Sequence, residues 1–280
     1  MGDFLAEIGK RLADRWFVSL VLPGLPLLAA AFAGWSLGPL GPTHALDPGP
    51  VAERLSAWLG AERDVAALVV GGGVLVAGLA GTAVAIRELS KLLARLWLGE
   101  VAWLRLMQRR LIARRRRRAI RGAPAGHRVP DRYLPRRGTV IGDRFLLAEE
   151  RFHAQYGVSL ARAWPRLWLL SDDTGRAPVQ AAWEEYAAAI VRTTWGVPYL
   201  VVAAVTLWWP AVVLGAGLIT LGWLQGRRSA TDLAVVCEAL ADVTLRPLAL
   251  TLGVALPHGR VTVTEGAVID SMLDKGTFVP

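Results

Sequence analysis

Three stretches of the chain are almost free of charge, and the segments between them place apolar residues at helical spacing. The first, Phe17 to about Leu37, contains no ionisable side chain and meets the requirement of ~20 apolar residues for a spanning helix. Trp16 and Trp35 bracket it, roughly 28 Å apart along a helix, which suits the two interfacial belts of a bilayer. Pro23 and Pro26 are expected to bend it, as a membrane helix tolerates when neighbours satisfy the freed carbonyls. A cleaved signal peptide competes with this reading, because Lys10, Arg11 and Arg15 precede the run and Ala31-Phe32-Ala33 is small-x-small. On either reading the following loop, 38–64, lies outside. The second stretch, Val65 to Ile86, is glycine-rich, and Gly73, Ala77 and Gly81 recur every four residues as a small-residue stripe for helix packing.

The third stretch, Thr193 to Gly226, is too long for one ordinary span and short for two. Trp195, Trp208, Trp209 and Trp223 divide it into halves, and Pro210 marks the expected turn. A crossing hairpin, a re-entrant hairpin and a single tilted helix remain open. Arg227 and Arg228 count against the single helix, which would leave them on the outer side.

Outside these stretches the periodicity is amphipathic. Phe4, Leu5, Ile8, Leu12 and Trp16 predict an interfacial helix over 1–16. After the second stretch, Leu89, Leu93, Leu96, Trp103 and Met107 continue a helical seam toward Arg121, with Gly99 its weak point. If the helix bends at Gly99, Trp97 and Trp103 could lie in the headgroup layer. Residues 122–138, with three prolines, read as a linker. Pro178 to Arg192 predicts a helix with Trp183, Ala187 and Ile190 along one side. Ser229 is the expected N-cap of a tail helix striped by Leu233, Val236, Leu240 and Val243, which Pro247 bends or ends. A short helix from Thr264 to Lys275 closes the chain.

Composition strengthens the membrane reading: 54% of the 280 residues are hydrophobic, high for a soluble domain. Charge then orients it. Between Arg87 and Arg192 there are 22 basic against 10 acidic residues, so the whole positive excess of the chain is central. The outer loop 38–64 holds two arginines and four acids, which places it opposite the basic side. The abundance of Arg, Ala and Gly suggests a bacterial genome.

The basic peak is formed by Arg109, Arg110, Arg114, Arg115, Arg116, Arg117 and Arg118. Topology with anionic-lipid binding, an acidic protein surface and nucleic acid compete for it. Proximity to the spans favours lipid, and nucleic acid is disfavoured because no recognition fold or interleaved aromatics accompany the arginines.

Catalytic chemistry leaves no pattern. The single Cys237 permits no disulfide, and no phosphate loop, nucleophile elbow or paired-histidine zinc motif occurs. Glu149, Glu150 and His153 cluster locally, but a di-metal bundle needs a second such set. No catalytic residue, metal ligand or cofactor is therefore assigned.

Gly142-Asp143, a helix, Tyr156-Gly157 and Trp164-Pro165-Arg166-Leu167-Trp168 follow in an order that resembles an uncharacterised family of actinobacterial multi-pass membrane proteins. That family has Asn where Asp143 stands. The resemblance covers about 136–170, more weakly 229–253, and implies location and shape but no activity. Read physically, Trp164 and Trp168 share a helix face and form a structural cluster.

Together these features predict an all-α integral membrane protein with about four transmembrane helices, two spans plus a short hairpin. Its parts are an interfacial helix (1–16), two spans with their outer loop (17–86), a basic cytoplasmic helical region (87–192), a transmembrane or re-entrant hairpin (193–226) and a cytoplasmic helical tail (227–280). The expected location is a bacterial plasma membrane with both termini cytoplasmic. The expected role is a non-enzymatic scaffold or adaptor, with an oligomeric pore or membrane-perturbing effector as the alternative. The partners implied are anionic headgroups of the bilayer, a cytoplasmic protein and further copies of the chain.

Overall fold

The computed structural model describes residues 22–60, 65–99, 105–122 and 134–274. Helix makes up 86% of the structure, and no strand occurs among the described residues. The helices are α1 (Leu22–Leu37), α2 (Pro48–Gly60), α3 (Val65–Leu98), α4 (Arg105–Arg121), α5 (Val140–Tyr156), α6 (Leu160–Leu170), α7 (Asp173–Thr206), α8 (Trp209–Thr251) and α9 (Val263–Leu273). Among the described residues one helix, α7, is long and apolar enough to cross a membrane by length and composition. The predicted interfacial helix 1–16, Trp103 and the end of the last helix at Lys275 lie outside the described residues.

The chain divides into two units, and the division falls inside α3, α7 and α8. Unit 1 contains residues 1–93 and 190–223. Its core is Leu27, Ala30, Ile86, Trp195 and Tyr199, with Val202, Trp208 and Leu218 packed against them. The loop 38–64 is not irregular throughout: α2 occupies half of it, started by Asp47, whose Oδ1 accepts from Gly49 N at 3.0 Å.

The α7–α8 connection is tighter than a proline-marked turn. It consists of Leu207, at φ 57°, and Trp208. Pro210 falls in the first turn of α8, where its missing N–H costs no helical bond. The two helices meet at Gly196 and Gly215. A Cβ on either would lie 2.6 to 2.8 Å from the other's carbonyl oxygen, so backbone packs on backbone there. Trp208 Nε1 donates to Ala45 O at 2.7 Å and pins the turn.

Unit 2 contains residues 94–189 and 224–280. Phe152, Val158, Leu160, Ala163, Leu167, Ala241, Leu245, Leu248, Ala249, Val261, Ile269 and Leu273 form its core. The ends of its helices are fixed by short-range polar contacts. Thr139 caps α5 by accepting from Gly142 N at 3.0 Å. Gly157 ends it in the left-handed region at φ 73°, which glycine adopts without steric penalty, its N–H donating to His153 O at 2.7 Å. Ser159 starts α6 and donates to Glu149 Oε1 at 2.8 Å. Glu265 accepts from Thr262 N at 2.9 Å and from the Thr262 hydroxyl at the start of α9.

Several expected faces shift. Ser229 is no cap: it lies inside α8, buried, with its hydroxyl donating to Gln225 O at 3.1 Å. The second arm of the predicted hairpin and the tail are therefore one continuous 43-residue helix from Trp209 to Thr251. Of the expected stripe, Leu233 and Leu240 are buried and Val236 is half-buried, but Val243 is exposed and the buried line continues instead through Ala241, Thr244, Leu245 and Leu248. On α7, Ile190 is buried and Ala187 half-buried as expected, but Trp183 is exposed, and Val179, Ala182, Tyr186 and Ala189 are buried. Gly99, at φ 73°, does end α3. Trp97 is buried, not placed for a headgroup layer: its ring lies 6.0 Å from that of Tyr186 and sits where a Cβ on Gly226 would be, 2.4 Å away.

Candidate functional site

The arginine helix α4 contains nine arginines and no acid. At 3.6 residues per turn its side chains sort into two faces. Gln108, Ile112, Arg115 and Ala119, spaced four, three and four apart, are the half-buried line. Arg110, Arg114, Arg117, Arg118 and Arg121 lie within about 100° of one another on a different side, and all five are exposed. Arg109 and Arg116 are exposed between these faces.

Arg115 is therefore not equivalent to its neighbours. One of its guanidinium nitrogens, Nη1, donates to Arg137 O and to Thr139 O, each at 2.7 Å. The same nitrogen lies 2.5 Å from Asp143 Oδ2, in an ion pair whose side chains are about four-fifths buried. Asp143 uses its other oxygen to accept from Arg136 N at 2.9 Å and Arg137 N at 2.7 Å. Arg116 Nε donates to Pro135 O at 2.9 Å, and Arg136 pairs with Glu150. Thr139, which caps α5, donates its hydroxyl to Trp97 O. The segment 135–139 is thus held on one side by Asp143 and on the other by Arg115. A surface cleft of about 330 Å³ lies beside it, lined by Arg115, Pro135, Arg136, Asp143, Arg144 and Glu150 among others.

The exposed arginines behave differently. Arg109, Arg110, Arg114, Arg117, Arg118 and Arg121 form no ion pair among the described residues. Their like charges recur at three and four residues, an arrangement that destabilises an isolated helix. Leu111 and Ile120 are exposed at the two edges of the stripe, 37% and 58% respectively.

The small-residue stripe Gly73, Ala77 and Gly81 is also exposed. No described atom outside the helix comes within 4 Å of a Cβ built on Gly73 or Gly81, so the stripe packs against no described part of this chain. A close helix approach within the chain occurs at Gly196 and Gly215. Arg121 and Asp143 were not among the expected site residues. Arg121 follows from Arg114 and Arg117 by helical spacing, whereas Asp143 meets Arg115 across 28 residues and no local pattern signals it.

The acidic residues 149 and 150 do not converge on a metal with His153. Glu149 accepts from Ser159 Oγ and from Ala161 N at 3.0 Å, and Glu150 faces Arg136. Among the described residues no group of three metal-ligating side chains forms. A second cleft in unit 2, about 530 Å³, is lined by Tyr156, Asp242, Arg246, Arg260 and Thr262 among others. There burial, with Asp242 beside the hydroxyl, pushes the Tyr156 phenol above its ordinary range. Burial also pushes the Cys237 thiol up to about 11, which keeps it protonated and unreactive. Glu238 is raised as well, because burial outweighs Arg151 at 3.3 Å.

The residues of the resembling segment serve the fold. Gly142 fits its backbone under Leu98 O, 2.6 Å from where a Cβ would stand. Tyr156 packs on Phe152, Leu167 is fully buried, and Trp164 and Trp168 lie 6.0 Å apart. Compared with protein-family models, with curated proteins and with solved structures, the chain finds no match.

Proposed function

We propose that this protein is a non-enzymatic, membrane-anchored scaffold that presents a basic helical region to a cytoplasmic partner. The observation that carries the reading is the combination, in one chain, of a helix apolar enough to cross a bilayer with a separately cored helical unit, 94–189 and 224–280. The polar groups of that unit cap helices and fix loops, and its exposed surplus is arginine. The charge-free stretches 17–37, 65–86 and 193–226 support four passes in a bacterial plasma membrane. The central basic excess supports a cytoplasmic side for 87–192, for the tail and for both termini. The resemblance of 136–170 to actinobacterial membrane proteins points the same way.

The test is affinity capture of the detergent-solubilised full chain after cross-linking in intact cells. A reproducible cytoplasmic partner, attached through residues of unit 2, is expected. A clean preparation without one counts against the reading.

An oligomeric pore or membrane-perturbing effector is favoured by one observation: the face of α3 bearing Gly73, Ala77 and Gly81 is open among the described residues, as a face that packs on a second copy would be. Dye release from liposomes separates the two readings, since a scaffold is silent and a pore is active.

A further inference from the structure

We propose that the exposed stripe of α4, Arg110, Arg114, Arg117, Arg118 and Arg121, docks on the phosphate headgroups of an anionic bilayer. The inference rests on the membrane-anchored reading and names the ligand of its basic helix. Three observations lead to it. First, the stripe is separate from the arginines that hold the fold: Arg115 and Arg116 bond to the 135–139 segment, and the stripe residues make no ion pair among the described residues. Second, five positive groups crowd one side of a helix that has no acid of its own. No described acid pairs with them, and an external anion would relieve their mutual repulsion. Third, Leu111 and Ile120 flank the stripe and are exposed. Apolar side chains beside a basic face gain by entering the headgroup boundary, whereas a dissolved polyanion offers them nothing. Over the stripe's length of roughly 16 Å all five charges can meet one surface. Nucleic acid would instead call for aromatic stacking groups among the basic residues, and the described face has none.

The test uses the full chain with Ala113→Cys, an exposed position beside the stripe, labelled with a fluorophore on a Cys237→Ala background. It is reconstituted into phosphatidylcholine vesicles containing a minor fraction of phosphatidylglycerol. The quencher is carried on the headgroup of either the anionic or the zwitterionic lipid. Each basic residue at an anionic leaflet changes local lipid preference by up to about fivefold. The anionic quencher is therefore expected to act at least about threefold more strongly than the zwitterionic one. Changing the five stripe residues to Gln should bring the two quenchers to parity with the melting curve unchanged, and changing them to Lys should keep most of the preference. Equal quenching in the unsubstituted stripe overturns the assignment while leaving the anchored reading intact. A chain that does not co-float with the vesicles overturns that reading and the proposal with it. A response to polyglutamate or to a DNA oligonucleotide, without one to anionic lipid, assigns the stripe to an acidic protein or to nucleic acid and overturns the proposal.

Discussion

Replacing Arg115 by Gln should destabilise the protein by about 2 to 4 kcal/mol, while the same change at Arg114 stays within about 0.5 kcal/mol. The two residues are adjacent and chemically identical, so the difference tests the structure alone. Arg115 Nη1 makes two hydrogen bonds of 2.7 Å to backbone carbonyls and an ion pair of 2.5 Å with Asp143. A hydrogen bond to a charged group contributes roughly 1.5 to 3 kcal/mol. Breaking a buried pair costs about 3 to 5 kcal/mol and a surface pair about 0 to 1. Side chains exposed 23% and 20% fall nearer the buried case, and the contacts share one nitrogen, so they do not add in full. For a domain of this size the loss corresponds to roughly 5 to 15 °C in Tm. Thermal unfolding of the detergent-solubilised chain, followed by circular dichroism, measures it. A cycle with Asp143→Asn should give a coupling energy above about 1 kcal/mol. Equal, small shifts for Arg114→Gln and Arg115→Gln would refute the claim that the arginines have divided roles.

Gly266→Ala should lower stability by more than about 2 kcal/mol, since its Cβ would stand 1.6 Å from Tyr156 O and the backbone must move; the same melts test it. Leu245→Ala, in the core of unit 2, should cost about 2 to 5 kcal/mol by removing a fully buried side chain, and a smaller loss would mean that the core is loosely packed. Glu265 is held below its ordinary value of 4.5 by the Thr262 hydroxyl and backbone. Its contribution to stability is therefore complete above pH 4.5 and is lost as the pH falls through the depressed value. Glu265→Gln should flatten that part of the pH–stability curve, and an unchanged acid limb would contradict the cap. Gly196→Leu should disrupt the α7–α8 approach, because no volume exists beside Gly215 O; retention of wild-type melting would show that the crossing is not close.

Long apolar runs and their continuation into amphipathic helix were legible, because periodicity and charge are local. The break at Gly99 was legible for the same reason: glycine is the weak residue in a helical run and the natural one at a positive φ. The turn at Leu207-Trp208 was not, since Pro210 looks like a breaker from sequence yet is also tolerated in a first helical turn. Ser229 misled in the opposite sense. A serine hydroxyl can cap a helix or bond back to the carbonyl four residues earlier, and only the packing around α8 selects the second. The arginine run shows the limit most clearly. Five identical residues carry no mark of helical phase, so which of them turns inward depends on Asp143 and Thr139, far along the chain.

The central claim, that these helices anchor a scaffold in a membrane, is tested most directly by flotation of the full chain. Membranes containing it are washed in alkaline carbonate and centrifuged through a density gradient. The chain is predicted to rise with the lipid, and to do so equally when the five stripe arginines are changed to Gln. A chain that stays in the dense fractions after the wash would contradict the account.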